Sequence, residues 1–145
     1  MNRLLKSISF LLVLCSVLTI PAHAENAVEP RESAYIAYHD TYLYKTGSNE
    51  FQVWFDVTAR TEVTQLGVKK IEVYRSSDQT NWTRMITYRY EDYPELMDYG
   101  SGAHAGHVTY TCATSGFYYK AYVAFYAKNS TGSGTIYRYT AILQM

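Results

Sequence analysis

The feature that most limits this chain is a period of two. In "EFQVWFDVTAR" (residues 50–60), Phe51, Val53, Phe55 and Val57 fall on one side, and Gln52, Trp54, Asp56 and Thr58 on the other. Alternation of this kind turns one face of an extended chain toward a core and leaves the other for solvent. "KKIEVYRS" repeats it, with Ile71 and Val73 inward and Glu72 and Tyr74 outward. "YYKAYVAFYA" does so again: Tyr119, Ala121, Val123, Phe125 and Ala127 point inward. Tyr118, Tyr122 and Tyr126 then project from the opposite face, with alternate side chains roughly 7 Å apart. No segment sustains a helical period. Sixteen tyrosines, all beyond residue 24, supply much of the pattern, and such rings favour half-buried, pleated strands.

The remaining segments read the same way. "SAYIAYHDTYLYK" is a first strand, broken near His39 and Asp40. "WTRMITYRY" follows a polar break at residues 76–81 and makes a hairpin with the strand before it. "HVTYTC" brings Val108, Tyr110 and Cys112 to one side, and "GTIYRYTAIL" closes the chain as a last strand. About seven short strands separated by turn signals predict an all-β, antiparallel sandwich over residues 33–145. The longest gap, residues 91–106, starts acidic and ends glycine-rich. Pro94 argues against a central strand there and suits the first position of a helical turn in "PELMDY".

The N-terminus reads as a targeting signal. Arg3 and Lys6 precede the apolar run "ISFLLVLCSVLTI", and Ala22-His23-Ala24 supplies the small residues of a cleavage site. Residues 1–24 are therefore expected to leave by cleavage between Ala24 and Glu25, with 25–32 a flexible mature N-terminus. Cys15 follows Leu14, where lipidation signals want a small residue, so the expectation is ordinary secretion with no membrane anchor in the mature chain. Removal of Arg3 and Lys6 leaves 11 basic against 13 acidic residues, scattered along the chain. That balance lacks the footprint of a nucleic-acid binder. Cys112 then has no partner for an intramolecular disulfide and is expected to be a buried small hydrophobe.

Two hairpins carry a resemblance. "IEVYRSSDQTNWT" is similar to the third-strand hairpin of fibronectin type III and immunoglobulin-like modules, in which a tight turn leads to a tryptophan, here Trp82. "YYKAYVAFYAKNSTGSG" is similar to their penultimate strand. There the resemblance implies a tyrosine corner, with Tyr119 hydrogen-bonding back to the preceding connection. The layout also resembles a family of small, uncharacterised exported proteins of Gram-positive bacteria, although Gln79 stands here where a glycine is usual. That likeness implies a fold and a secretion signal, and no activity.

Candidate sites are few. His104 and His107, with Cys112 five residues on, form a permissible but incomplete zinc set. Glu91, Asp92, Glu95 and Asp98 lack the spacing of a calcium loop, and a solvated acidic loop explains them. Outward Tyr118, Tyr122 and Tyr126, joined by Tyr74 from a neighbouring strand, form a rigid aromatic row with hydroxyl tips, suited to sugar rings or protein partners. The bland account is that cross-strand tyrosine pairs stabilise an exposed sheet face. The expectation is a secreted, non-catalytic binding or adhesion protein, with no cofactor, whose partner is a glycan or an extracellular protein. A structural or toxin-like protein acting by self-association is the alternative. A small hydrolase built on the acidic loop and the two histidines is third.

Overall fold

A computed structural model describes residues 33–145; the expected cleavage point between Ala24 and Glu25 lies outside the described residues. The described chain forms β1 (Ile36–Lys45), β2 (Phe51–Ala59), β3 (Gln65–Ser76), β4 (Thr83–Arg89), β5 (Met97–Asp98), β6 (Ala103–Tyr110), β7 (Tyr118–Lys128), β8 (Ser133–Tyr139) and β9 (Leu143–Gln144). One sheet has the order β1-β2-β6; the other has β4-β3-β7-β8, with β5 added to β3 and β9 to β7. All pairings are antiparallel. Two such sheets packed face to face make the sandwich that the alternation predicts.

The inward parity fills the space between the sheets. Phe51, Val53, Phe55 and Val57 of β2 meet Ile71 and Val73 of β3 and Tyr119, Ala121, Val123 and Phe125 of β7, all at most 2% exposed. Each large side chain so buried contributes about 1.5–3 kcal/mol by its removal from water. Tyr119 is the largest fully buried side chain, and its hydroxyl accepts the Thr114 backbone N–H at 2.8 Å. A phenol reaching back to the connection before its own strand is a tyrosine corner. It buries a ring without stranding its polar tip. Tyr88 does similar work between the sheets, donating from β4 to the Thr109 carbonyl of β6 at 3.0 Å, and burial pushes its pKa up to about 12.

Several local expectations need correction. β1 is not broken near His39 and Asp40; its only irregularity lies between Ile36 and Tyr38. Asp40 faces outward, while His39 packs edge-on against Phe125 at 5.3 Å and accepts from Arg138 Nε at 2.8 Å, so neither polar group interrupts the ladder. Cys112 is exposed rather than buried. β6 ends at Tyr110, and the next inward position goes to Ala113, which is 3% exposed and donates to the Asn49 carbonyl. β6 also starts earlier than expected, at Ala103. Gly106 keeps it in register, because a Cβ there would stand 2.9 Å from the Phe55 ring. The last segment is two strands, not one. At Thr140 the chain leaves β8 and bonds Ala121 through both its backbone N–H and its hydroxyl before β9 rejoins β7.

The long connection from β4 to β6 carries the expected helical turn, a 3-10 turn at Pro94–Leu96 with Pro94 at its start. Leu96 is fully buried. The turn lies so close over β3 that any side chain at Gly67 (φ +157°) would collide with the Leu96 carbonyl.

Candidate functional site: the outer face of the six-stranded sheet

Outward parity on β3, β7 and β8 assembles a polar-aromatic surface. Register sets Glu72, Tyr122 and Tyr139 in one line across three strands, with Tyr74 opposite Lys120 and Lys70 opposite Ala124 and Tyr137. Tyr122 is the hub. Its ring stacks on Tyr137 with centroids 5.5 Å apart and planes 4° from parallel, and lies 4.7 Å from Tyr139. Tyr74 reaches Tyr139 at 6.4 Å. The Lys120 ammonium sits 4.7 Å over Tyr139 and 4.2 Å over Trp82, and burial lowers its pKa. Stacked and cation-capped rings lose little further freedom on contact with a ligand.

Beside Tyr122, on the neighbouring strand, lies a carboxylate. Glu72 has outward parity yet is only 5% exposed, because its neighbours cover it. It accepts Lys70 Nζ at 3.2 Å, Arg84 at 3.2 Å and the Tyr74 hydroxyl at 3.1 Å. Burial by itself would raise its pKa; the hydrogen bonds from Lys70, Tyr74 and Arg84, with the Lys70 charge, outweigh that and hold it below the usual carboxylate range. The Tyr122 phenol is pushed up by burial and by neighbouring Tyr139, Tyr137 and Glu72, and the Tyr74 phenol by burial and by Glu72. Both therefore stay protonated at neutral pH, as hydroxyls able to donate and accept.

Of the four tyrosines expected on this face, the structure brings Tyr74 and Tyr122 together and sets the other two at the ends of β7. Tyr118 pairs with Ser76 and Gln144 at one end. Tyr126, at the other, is 8% exposed beneath the Lys69 ammonium, 3.8 Å above its ring. Sequence reasoning missed Tyr137, Tyr139, Lys120 and Glu72. The alternation in "TIYRY" marked Tyr137 and Tyr139 as one face of a strand. Their meeting with Tyr122 depends on a β7–β8 register that alternation does not carry.

A second aromatic surface lies on the opposite side of the molecule. The three-stranded sheet exposes Tyr38, Tyr42 and Tyr44 along β1, each about half accessible. Tyr42, Trp54 and His107 stack in sequence across the three strands, at 6.2 Å and 4.5 Å. Trp54 thus keeps the outward parity that its strand dictates, and its Nε1 donates to Gln52. His104 and His107 do not share a site. Three residues apart on a strand, they point to opposite faces: His107 stacks on Trp54, while His104 packs on Phe55 and its Nε2 lies 3.0 Å from the Glu95 carbonyl. Among the described residues, no three His, Cys, Asp or Glu side chains gather as a metal group.

No protein-family model matches this chain, and no curated protein matches it. The six-stranded face offers aromatic planes, neutral hydroxyl tips and cationic ends on a rigid sheet. Those are the elements that hold sugar rings or the side chains of another protein.

Proposed function

We propose that the chain is an exported, non-catalytic β-sandwich module that binds an extracellular glycan or protein through the outer face of its six-stranded sheet. The observation that carries this reading is Tyr122 held between Tyr137 and Tyr139 and paired across the sheet with the buried Glu72. A tyrosine row that served only strand pairing would need neither a buried carboxylate beside it nor a lysine clamped over it, because burying charge costs free energy. The arrangement fixes the rings before any ligand arrives, which lowers the entropic cost of binding. The resemblance to exported Gram-positive proteins and the expected signal segment agree with a ligand outside the cell.

The test is a glycan array and an extracellular-matrix protein panel, run on the wild type, Tyr122→Ala and Tyr42→Ala. Binding lost in Tyr122→Ala and kept in Tyr42→Ala supports the reading. No binding to any member of either panel overturns it.

Self-association is a second reading, and β1 favours it. Among the described residues this strand of ten residues forms a sheet edge with Tyr38, Tyr42 and Tyr44 exposed, and open edges of that length template pairing with another strand. Sedimentation that stays monomeric across a hundredfold range of concentration removes it.

A further inference from the structure

The tyrosine row continues into a cleft, and the cleft is cationic. On β7 the outward positions run Tyr118, Lys120, Tyr122, Ala124, Tyr126, so Ala124 is the one small residue among large ones. Over it opens a cleft of about 270 Å³ between β3, β4, β8 and the residues just after β4. Lys69, Lys70, Arg89 and Tyr90 line it from the β3–β4 side, and Thr135 and Tyr137 from β8.

The local fold builds this concentration of charge. The register of β3 against β7 shifts between Val68 and Lys70, so Lys69 is an extra residue and both lysines reach the outer surface. Arg89 lies directly opposite Lys70 on β4, and the Tyr90 N–H is tied to the Lys69 carbonyl at 3.2 Å. Compensation is partial. Glu72 is shared between Lys70 and Arg84, Glu91 is the single carboxylate in the cleft lining, and Arg89 makes no ion pair among the described residues. With Lys70 paired to Glu72, Lys69 and Arg89 stand beside one rim carboxylate, in a chain with 13 basic and 13 acidic residues overall.

We infer that this cleft is a subsite for an acidic sugar residue, its carboxylate or sulfate ester taken by Arg89 and Lys69 and its ring laid against Tyr137. The size points to one ring rather than a larger molecule, being below the usual range for a drug-sized ligand. The aromatic wall distinguishes a sugar from a bare anion. Tyr137 is half exposed and already stacked on Tyr122, so the subsite opens onto the tyrosine row, where neighbouring residues of a polysaccharide would lie. A guanidinium meets carboxylate or sulfate oxygens through two parallel hydrogen bonds, which fixes orientation as well as charge.

The inference rests on the glycan form of the proposed function, and the experiment separates the two. Titration calorimetry with the full mature chain uses polygalacturonate, dextran sulfate, neutral dextran and phosphatidylglycerol vesicles. Each is run at low and at high salt, on wild type, Arg89→Gln, Lys69→Gln and Tyr122→Ala. Arg89 and Lys69 are exposed, and circular dichroism checks that each variant folds. The expected result is preference for one of the acidic polysaccharides over dextran, weakened about tenfold by Arg89→Gln and weakened again by salt. Which of the two is preferred assigns carboxylate or sulfate. Equal binding of dextran, lost in Tyr122→Ala and indifferent to Arg89→Gln, overturns the subsite and leaves the tyrosine face standing. Binding to the vesicles as tight as to either polysaccharide, or no polysaccharide binding at all, overturns the sugar assignment.

Discussion

The two outer faces of this sandwich are built from similar residues and are organised differently. On the three-stranded sheet, Tyr38, Tyr42 and Tyr44 stand about half exposed, and Asp40 faces Asp56 directly across β1 and β2 with no lysine or arginine at the outward positions beside them. On the six-stranded sheet, the central tyrosine is packed between two others, cations cap the rings, and the Glu72 carboxylate is buried and shared by three donors. Tyrosine content therefore says little by itself. What separates a propensity-driven face from an organised one is whether its polar groups are satisfied by one another.

The largest expected contrast is in binding. Tyr122→Ala should lower affinity for the glycan or protein ligand proposed for the six-stranded face about a hundredfold, the loss typical of a central aromatic anchor, while Tyr42→Ala leaves it unchanged. Equal losses in both variants would erase the distinction between the faces.

Next comes Glu72→Gln, expected to destabilise the fold by about 1–2 kcal/mol at neutral pH, since Lys70 and Arg84 lose the charge they share. The effect is small because Arg84 is largely exposed and solvent screens it. Its sign with pH is definite. The folded-state pKa is depressed, so the unfolded chain takes up the proton first as pH falls below the ordinary carboxylate range. The stabilisation is full above that range and is lost below it. Melting temperatures of wild type and variant should converge by strong acid, and a gap that persists there would mean the charge is not the cause.

A smaller effect is expected in the β3–β4 hairpin that borders the organised face. Gln79 sits at φ +61°, a conformation that costs an L-residue about 1 kcal/mol and a glycine little. Gln79→Gly should raise the unfolding free energy by most of that amount. The turn itself stays anchored by Asp78, which accepts from Ser76, Thr80 and Asn81. Denaturant midpoints measure the gain, and no gain would show that the turn is not strained. Smallest of all, Asp56→Asn on the other face should be neutral or stabilise by up to about 0.5 kcal/mol by relieving the Asp40 repulsion. A loss there comparable with Glu72→Gln would make the two faces alike after all.

How far the sequence could be read depended on what kind of information each feature needs. Inward positions such as Phe51, Val53, Ile71, Val123 and Phe125 were legible because parity is local: each residue's side follows from its neighbours. The tyrosine corner was legible through resemblance and is made by Tyr119. Cys112 was misplaced because parity survives only while the strand does, and β6 stops two residues earlier. His39 and Asp40 looked like a break because polar pairs usually sit in turns; here the space beside Phe125 and the approach of Arg138 absorb the histidine. Tyr126 had the outward parity and still lost its exposure, since Lys69, the extra residue of the bulge, lies over it.

The sequence by itself determined that the chain is all-β, where most strands lie and which side of each faces the core, because a period of two is written in consecutive residues. Only the tertiary structure decided which tyrosines meet, that Glu72 is buried on an outward face, and that Lys69, Lys70 and Arg89 gather over Ala124. Those depend on register between strands far apart in the chain, as where Gln65 pairs with Lys128 and Phe51 with Tyr110. Register is fixed by bulges, turns and inter-sheet packing acting together, and no local pattern records it.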